Sequence, residues 1–250
     1  MKQALLFLTT ALLISCVNNE DLPDSSSIDI VDAIQFKQLV EAGRGIILDV
    51  RTPEEVSQGY IHNASTIDFY DKDFVVKINL IPKDKEIYIY CKYGVRSLEA
   101  AEILQKNGFN TVYHLENGLI AWEENGFPLS RTQIAKDDKI QEISLADFQA
   151  VLKTDKPVLI DFHTVWCAPC RKMAPIVDKI EEQYTDRAIV MRVDVDKSKD
   201  VGKAYEVSGV PVFILFKDGQ EIWKHNGIIP EDELKEQIEN SLASNSNYHQ

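Results

Sequence analysis

The alternation of apolar runs with amphipathic stretches predicts an α/β segment in the first half of this 250-residue chain. Short β-branched runs at 45–50, 86–91 and 111–115 predict strands, and leucine and alanine recur with helical spacing at 33–43 and 97–109. Two of the strands are almost continuously apolar, which is typical of buried parallel strands. The alternation of strand and helix therefore favours a parallel sheet flanked by helices.

A second segment starts with an apolar strand that leads directly into a helix beginning at the cysteines of WCAPC, residues 166–170. An apolar run at 189–195 and another helix come next. Residues 209–223 then predict two strands joined by an Asp-Gly turn. This segment also has the pattern of an α/β domain.

The first sixteen residues have a different character. Lys2 is followed by an uncharged apolar run at 4–14, which is too short to cross a bilayer but has the form of a secretory signal. The run leads to Leu-Ile-Ser-Cys, which resembles the bacterial lipobox, whose cysteine becomes the lipidated first residue; here that residue is Cys16. The alternative is an ordinary cleaved signal with an incidental Cys16. We expect a periplasm-facing protein that is lipid-anchored to the inner or outer membrane.

Polar stretches divide the chain into its expected parts. These are a lipoprotein signal peptide (1–15), a lipidated spacer (16–27), a first domain (28–130), a linker (131–139), a second domain (140–243) and a disordered tail (244–250). The net charge of −13 argues against nucleic acid as a partner, because binding it requires basic patches.

The loop CKYGVRS, residues 91–97, places Cys91 where a strand ends and a helix begins. Backbone N–H groups of such a loop form a concave anion site, and Lys92 and Arg96 add positive charge. Both effects favour the nucleophilic thiolate. One alternative is a buried cysteine that only packs. Another is a cysteine phosphatase, but in those enzymes the arginine follows the cysteine by six positions, whereas Arg96 follows Cys91 by five.

The first segment resembles a single-domain rhodanese over about residues 28–130. The resemblance rests on LDVRTPEEVSQGYIHNA (48–64), on the loop at 91–97 and on NGLIAWEENGFPL (117–129). It implies that Cys91 carries sulfane sulfur as a persulfide. Tyr60 and Asn63 depart from the family pattern, which has histidine and glycine there.

The same resemblance implies that the loop amides cradle the persulfide. The substrate-binding residues expected from it are Lys92, Tyr93, Gly94, Val95 and Arg96.

Cys167 and Cys170 are spaced so that the first begins the helix and the second lies one turn later. The helix macrodipole and free N–H groups stabilise a thiolate on Cys167, and Cys170 can close a small disulfide ring. A zinc site would need four ligands, and the chain has no second cysteine pair, so we expect no metal. A purely structural disulfide of this size would remove little chain entropy.

This segment resembles thioredoxin over about residues 140–243. The resemblance implies a mixed central sheet with flanking helices and a buried aspartate, Asp161, that accepts a proton as the second cysteine attacks. It also implies that Trp166 and Pro211, the latter in a cis-proline loop, bind the substrate; the alternative for Trp166 is simple core packing. His163, Ala168 and Arg192 depart from the family pattern.

These resemblances lead us to expect a bacterial envelope thiol–disulfide oxidoreductase, acting as a reductase, with a persulfide-carrying domain and no cofactor. The expected partners are disulfide-bonded or persulfidated envelope proteins and a membrane electron donor. One alternative is a sulfurtransferase that releases sulfide through the cysteine pair. Another is a tethered peptide-binding module without turnover. We also hypothesise a relay in which Cys167 removes the sulfur loaded on Cys91.

Overall fold

The computed structural model describes residues 27–131 and 141–243. The expected signal peptide, Cys16, the spacer up to residue 26, linker residues 132–139 and the tail lie outside the described residues.

The first part, residues 27–131, is a five-stranded parallel sheet with helices, in the strand order β1-β5-β4-β2-β3. Its elements are β1 (Ser27–Val31), α1 (Ala33–Ala42), β2 (Ile46–Asp49), α2 (Pro53–Ser57), β3 (Ser65–Thr66), α3 (Phe74–Ile78), β4 (Ile87–Tyr90), α4 (Val95–Lys106), β5 (Thr111–Leu115) and α5 (Gly118–Glu124). The strands and helices predicted from the apolar pattern are confirmed as β2, β4, β5, α1 and α4.

The second part, residues 141–243, is a four-stranded mixed sheet in the order β7-β6-β8-β9, with β8 antiparallel to β6 and β9. Its elements are α6 (Leu145–Val151), β6 (Val158–His163), α7 (Ala168–Tyr184), β7 (Ile189–Asp194), α8 (Lys199–Ala204), β8 (Val212–Lys217), β9 (Gln220–Asn226) and α9 (Glu231–Ala243). The expected fold class, a parallel sheet followed by a mixed sheet, is confirmed.

Apolar packing joins the two parts. On one face of the first sheet, Phe36 packs edge-on against Tyr88, Tyr90 and Trp122 with ring centroids 6.3–6.4 Å apart. A separate buried cluster includes residues of both parts, among them Cys91 and Cys167. Burial of a continuous apolar cluster stabilises the contact between the parts by the hydrophobic effect.

No helix of residues 27–131 or 141–243 has both the length and the apolar character needed to span a bilayer.

Candidate active sites

The first candidate site is the loop between β4 and α4. Cys91 follows the last residue of β4 and is only 1% exposed. Its Sγ lies 3.2 Å from the backbone nitrogen of Gly94, which donates a hydrogen bond to it, and 3.4 Å from Ser97 Oγ. Gly94 caps α4 with φ of 93°, a left-handed conformation that glycine adopts without steric cost. The turn therefore directs a backbone donor at the sulfur, as the anion-site argument requires.

A second glycine lets another segment close over this loop. The backbone nitrogen of Leu119 donates to the Cys91 carbonyl at 2.8 Å. A Cβ on Gly118 would lie 2.4 Å from that carbonyl oxygen, and the φ of this residue is +60°. Only glycine fits at this position, which explains the glycine in NGLIAW.

Both basic side chains of the loop are paired with carboxylates. Arg96 donates two hydrogen bonds to Glu55, at 2.7 and 2.8 Å, and Lys92 Nζ lies 3.8 Å from Glu123. The bond from Arg96 lowers the pKa of Glu55 to about 2. The local positive charge is therefore smaller than the sequence indicates. Tyr93 and Val95, also expected to bind substrate, present side chains that are 68% and 67% exposed.

Sequence reasoning missed two polar residues behind Cys91. Buried Ser97 lies 3.0 Å from His114 Nε2, and the same nitrogen lies 2.9 Å from the Gly94 carbonyl oxygen. Burial lowers the pKa of His114, which favours the neutral ring. Because a carbonyl only accepts, Nε2 carries the proton of that ring. The position of Ser97 directly after Arg96, at the end of the reactive loop, is the sequence signal that could have indicated its role.

Asp49 and Arg51 hold the end of β2 in a buried ion pair, with Arg51 Nη2 2.6 Å from the carboxylate. The two departures in the first part also have structural places. Asn63 has a φ of 64°, a conformation that favours glycine, and buried Tyr60 pairs with Ser130 through backbone hydrogen bonds.

The second candidate site lies at the start of α7. Cys167 caps the helix and forms a disulfide with Cys170, whose backbone nitrogen is 3.1 Å from Cys167 Sγ. The predicted disulfide ring is confirmed. The Val210–Pro211 peptide bond is cis, as the resemblance implied, and Cys167 Sγ lies 3.8 Å from the Val210 carbonyl oxygen. The proline loop therefore faces the sulfur that would react first.

The remaining predicted residues surround this pair in different ways. Trp166 donates through its indole nitrogen to Asp196 at 2.7 Å. Asp161 is completely buried in β6, and Arg192 Nε donates to its Oδ2 at 3.2 Å. Its other oxygen, Oδ1, has no hydrogen-bond partner among the described residues. Burial raises the pKa of Asp161 to about 7, against the opposing effect of Arg192.

The first part covers the disulfide, which sequence reasoning did not predict. Ser65 Oγ accepts from the backbone nitrogen of Ala168 at 3.0 Å, and the Leu80 carbonyl accepts from that of Val210 at 3.0 Å. With the first part in contact, Cys167 and Cys170 are only 2% and 1% exposed.

Cys91 and Cys167 belong to one buried cluster, but β2 separates β4, which Cys91 follows, from β3, which contacts Trp166. Tyr90 pairs with Asp49 of β2, and Asp49 pairs with Thr66 of β3. Since neighbouring strands are about 4.8 Å apart, Tyr90 and Thr66 are about 10 Å apart. The contacts with the second site are made by Ala64, Ser65 and Thr66 themselves. The relay between the two cysteines stays a prediction.

In the described parts of the chain, no group of three or more histidine, cysteine, aspartate or glutamate side chains has the arrangement of a metal site.

Comparison with known proteins assigns each part of the chain to a different family model. A model described as "Rhodanese-like domain" matches residues 32–125, and one described as "Thioredoxin" matches residues 139–240.

Similar individual proteins match through the second part. Thioredoxin Y2, chloroplastic, of Arabidopsis thaliana is 42% identical over 89 residues, which are 36% of this chain and 53% of that protein. Thioredoxin 1 of Synechococcus elongatus is 38% identical over 94 residues, which are 38% of this chain and 88% of that protein. The chain thus spans about half the length of the first relative and most of the second.

A crystal structure of mitochondrial thioredoxin 3 from Saccharomyces cerevisiae in its oxidised form is 35% identical. The match covers 41% of this chain and 95% of that one, with a TM-score of 0.37.

Proposed function

This chain belongs to the thioredoxin family, and we propose that it is a thiol–disulfide oxidoreductase that acts as a reductase. The observation that carries the proposal is the Cys167–Cys170 disulfide at the N-terminus of α7, facing cis-Pro211. Cys167 attacks a target disulfide because helix N-terminal N–H groups stabilise its thiolate. Cys170 then resolves the mixed disulfide, and Asp161 takes up its proton.

The test of this assignment is the reduction of insulin disulfides with dithiothreitol as the electron source. Cys167→Ser should abolish turnover, because the attacking thiolate is lost. Cys170→Ser should also stop turnover but accumulate a mixed disulfide with the target, since the first attack still occurs. If Cys167→Ser trapped targets better than Cys170→Ser, the two roles would be reversed. Wild-type protein that left insulin oxidised would refute the proposal.

The second candidate function is sulfur transfer, and the geometry of the Cys91 loop favours it. The Gly94 N–H group and the Ser97 hydroxyl lie within hydrogen-bonding distance of Sγ, as a persulfide carrier requires. Thiosulfate would donate its sulfane sulfur to the Cys91 thiolate and leave as sulfite. With cyanide as acceptor, Cys91→Ser should abolish thiocyanate formation while insulin reduction continues. Unchanged thiocyanate formation would exclude Cys91 as the carrier.

We also propose that a lipid anchor on Cys16 holds the protein on the periplasmic side of the cell envelope. Its support is the Leu-Ile-Ser-Cys sequence after an apolar run of signal length. The targets would then be envelope proteins with disulfides or persulfides, and electrons would come from a membrane donor. Cys16→Ser should move the protein from detergent-dependent membrane fractions to soluble ones. Continued membrane association would contradict lipid anchoring.

A further inference from the structure

The segments that cover the active-site disulfide bind it through backbone groups. We call residues 64–66 and 80–82 the covering segments. The outward N–H of Thr66, on edge strand β3, donates to the Trp166 carbonyl at 3.1 Å. The Leu80 carbonyl accepts from Val210 N–H at 3.0 Å. One contact therefore lies directly before Cys167 and the other directly before cis-Pro211.

These contacts have the form of peptide recognition by main-chain hydrogen bonding. In such recognition an extended segment satisfies exposed backbone groups, and neighbouring side chains add specificity. Here the covering segments use the carbonyl of Trp166 and the N–H of Val210, the backbone groups on either side of the disulfide. The resemblance to thioredoxin implies that the Pro211 loop binds the target, so a target polypeptide and the covering segments would compete for this cleft.

Side chains strengthen the contact on several sides of the disulfide. Arg171 donates to the Ala64 carbonyl at 2.6 Å, and its pKa is lowered because it is buried. Lys199 Nζ lies 2.9 Å from Asp73 at the start of α3. One buried apolar cluster includes Ile81 of the first part and Val210 of the second. Backbone, charged and apolar contacts together make this a built interface.

We propose that the rhodanese-like domain is the resting partner of the thioredoxin-like cleft, and that protein targets reach Cys167 only after the covering segments leave it. This inference rests on the proposed function and adds how access of targets to Cys167 is regulated. In the reverse of target reduction, a polypeptide thiolate attacks Cys167 Sγ, breaks the bond to Cys170 and leaves Cys170 as the thiolate, and this step needs the same access to Cys167. A covered Cys167 prevents that approach, whereas a small thiol needs much less room.

The first test uses the unmodified oxidised protein. Amide hydrogen exchange is measured at Val210 and Thr66. In the structure the N–H group of each donates a hydrogen bond to the other domain. Both amides should exchange slowly, at the rate at which the domains separate. Fast exchange at both amides, with β4 and β6 still protected, would overturn the proposal.

The second test is a charge swap at the Asp73–Lys199 pair. Asp73→Lys and Lys199→Glu each place like charges together, and the double variant restores an opposite pair. Each oxidised protein is mixed with reduced, unfolded ribonuclease A or with dithiothreitol, and loss of the Cys167–Cys170 disulfide is followed by alkylation. Glu124→Lys, at an exposed position of α5, is the control for the charge change of Asp73→Lys.

Each single variant should react about two- to fivefold faster with ribonuclease thiols, and the double variant should return to the wild-type rate. Dithiothreitol should reduce all of them at similar rates. Equal ribonuclease rates in all variants, or no recovery in the double variant, would overturn the proposal. A disulfide that dithiothreitol cannot reduce would instead refute the proposed redox function.

Discussion

Asp161 combines complete burial with a hydrogen bond to Arg192 and one oxygen that has no partner in the described residues. Burial raises its pKa to about 7, so near neutral pH the group is present in both protonation states. A carboxyl with such a pKa can accept a proton at pH 7 and return it, which suits the role implied for it. The same raised pKa makes the stability of the folded protein depend on pH.

Asp161→Asn should remove a pH dependence of the unfolding free energy. Because the folded pKa is above the ordinary value, the native state holds the proton more tightly, and stability falls as pH rises through about 7. The contribution lost between pH 5 and pH 9 is about 2–3 kcal/mol. Urea unfolding of the oxidised proteins at both pH values measures it. An equal fall in the Asn variant would contradict this assignment, and insulin reduction by that variant should be slower.

In the first site, Ser97 is the polar side chain next to the reactive sulfur. Its hydroxyl can donate to Cys91 Sγ at 3.4 Å or to the Gly94 carbonyl oxygen at 3.0 Å, and its oxygen can accept from His114 Nε2–H at 3.0 Å. Ser97→Ala should slow thiosulfate-dependent persulfide formation about tenfold, as expected for a hydrogen bond to a charged group. Mass spectrometry of the loaded protein measures the rate. Ser57→Ala, on exposed α2, is the control; equal rates for both would refute a role for Ser97.

At the scale of elements, Glu55 connects a short helix to the reactive loop. Its side chain completes the capping box of α2 by accepting from Thr52 N–H, and it also pairs with Arg96, 41 positions later. The capping box is a local contact between positions three apart. No local signal in the sequence indicates the second contact, which exists only because the sheet brings α2 beside α4.

Glu55→Gln should increase the rate with thiosulfate. Glutamine keeps an acceptor for the helix cap but removes the negative charge that neutralises Arg96. The loop then attracts the thiosulfate anion more strongly, and we expect a two- to fivefold rise in thiocyanate formation, reduced by added salt. Glu54→Gln on the same helix is the control. A lower rate at unchanged stability would mean that Glu55 acts by positioning Arg96.

Elements with a long apolar pattern were predictable from the sequence. Strand β3, which contacts the second site, was not. The strands β2, β4 and β5 follow from short runs rich in β-branched residues. Strand β3 has only two residues, Ser65 and Thr66, and no periodicity can emerge from two positions. It lies at the edge of the sheet and contributes to the cover over the disulfide. Its role depends on tertiary contacts that have no local signal in the sequence.

At the scale of the whole molecule, a short linker alone could not predict whether the two thiols meet. A linker of about ten residues reaches at most about 33 Å, which allows many arrangements of the two domains. In the observed arrangement the cysteine pair is oxidised and covered, and β2 and β3 lie between it and Cys91. We propose that the relay begins with separation of the domains and continues when they meet again with Cys167 at the Cys91 loop.

The relay predicts a sulfide release that is intramolecular and limited by domain separation. The Cys167 thiolate takes the outer sulfur of the Cys91 persulfide, and Cys91 leaves as thiolate. Cys170 then attacks Cys167, releasing hydrosulfide and forming the disulfide, so that the dithiol is oxidised as the sulfane sulfur is reduced.

The measurement is a single turnover of protein that carries the Cys91 persulfide and a reduced cysteine pair. Release should be first order and independent of protein concentration, because a short tether gives a millimolar effective concentration. It should rise about two- to fivefold in Asp73→Lys, which weakens the docked state, and disappear in Cys167→Ser. A rate proportional to protein concentration would show that sulfur passes between molecules, and the two sites of one chain would then act separately.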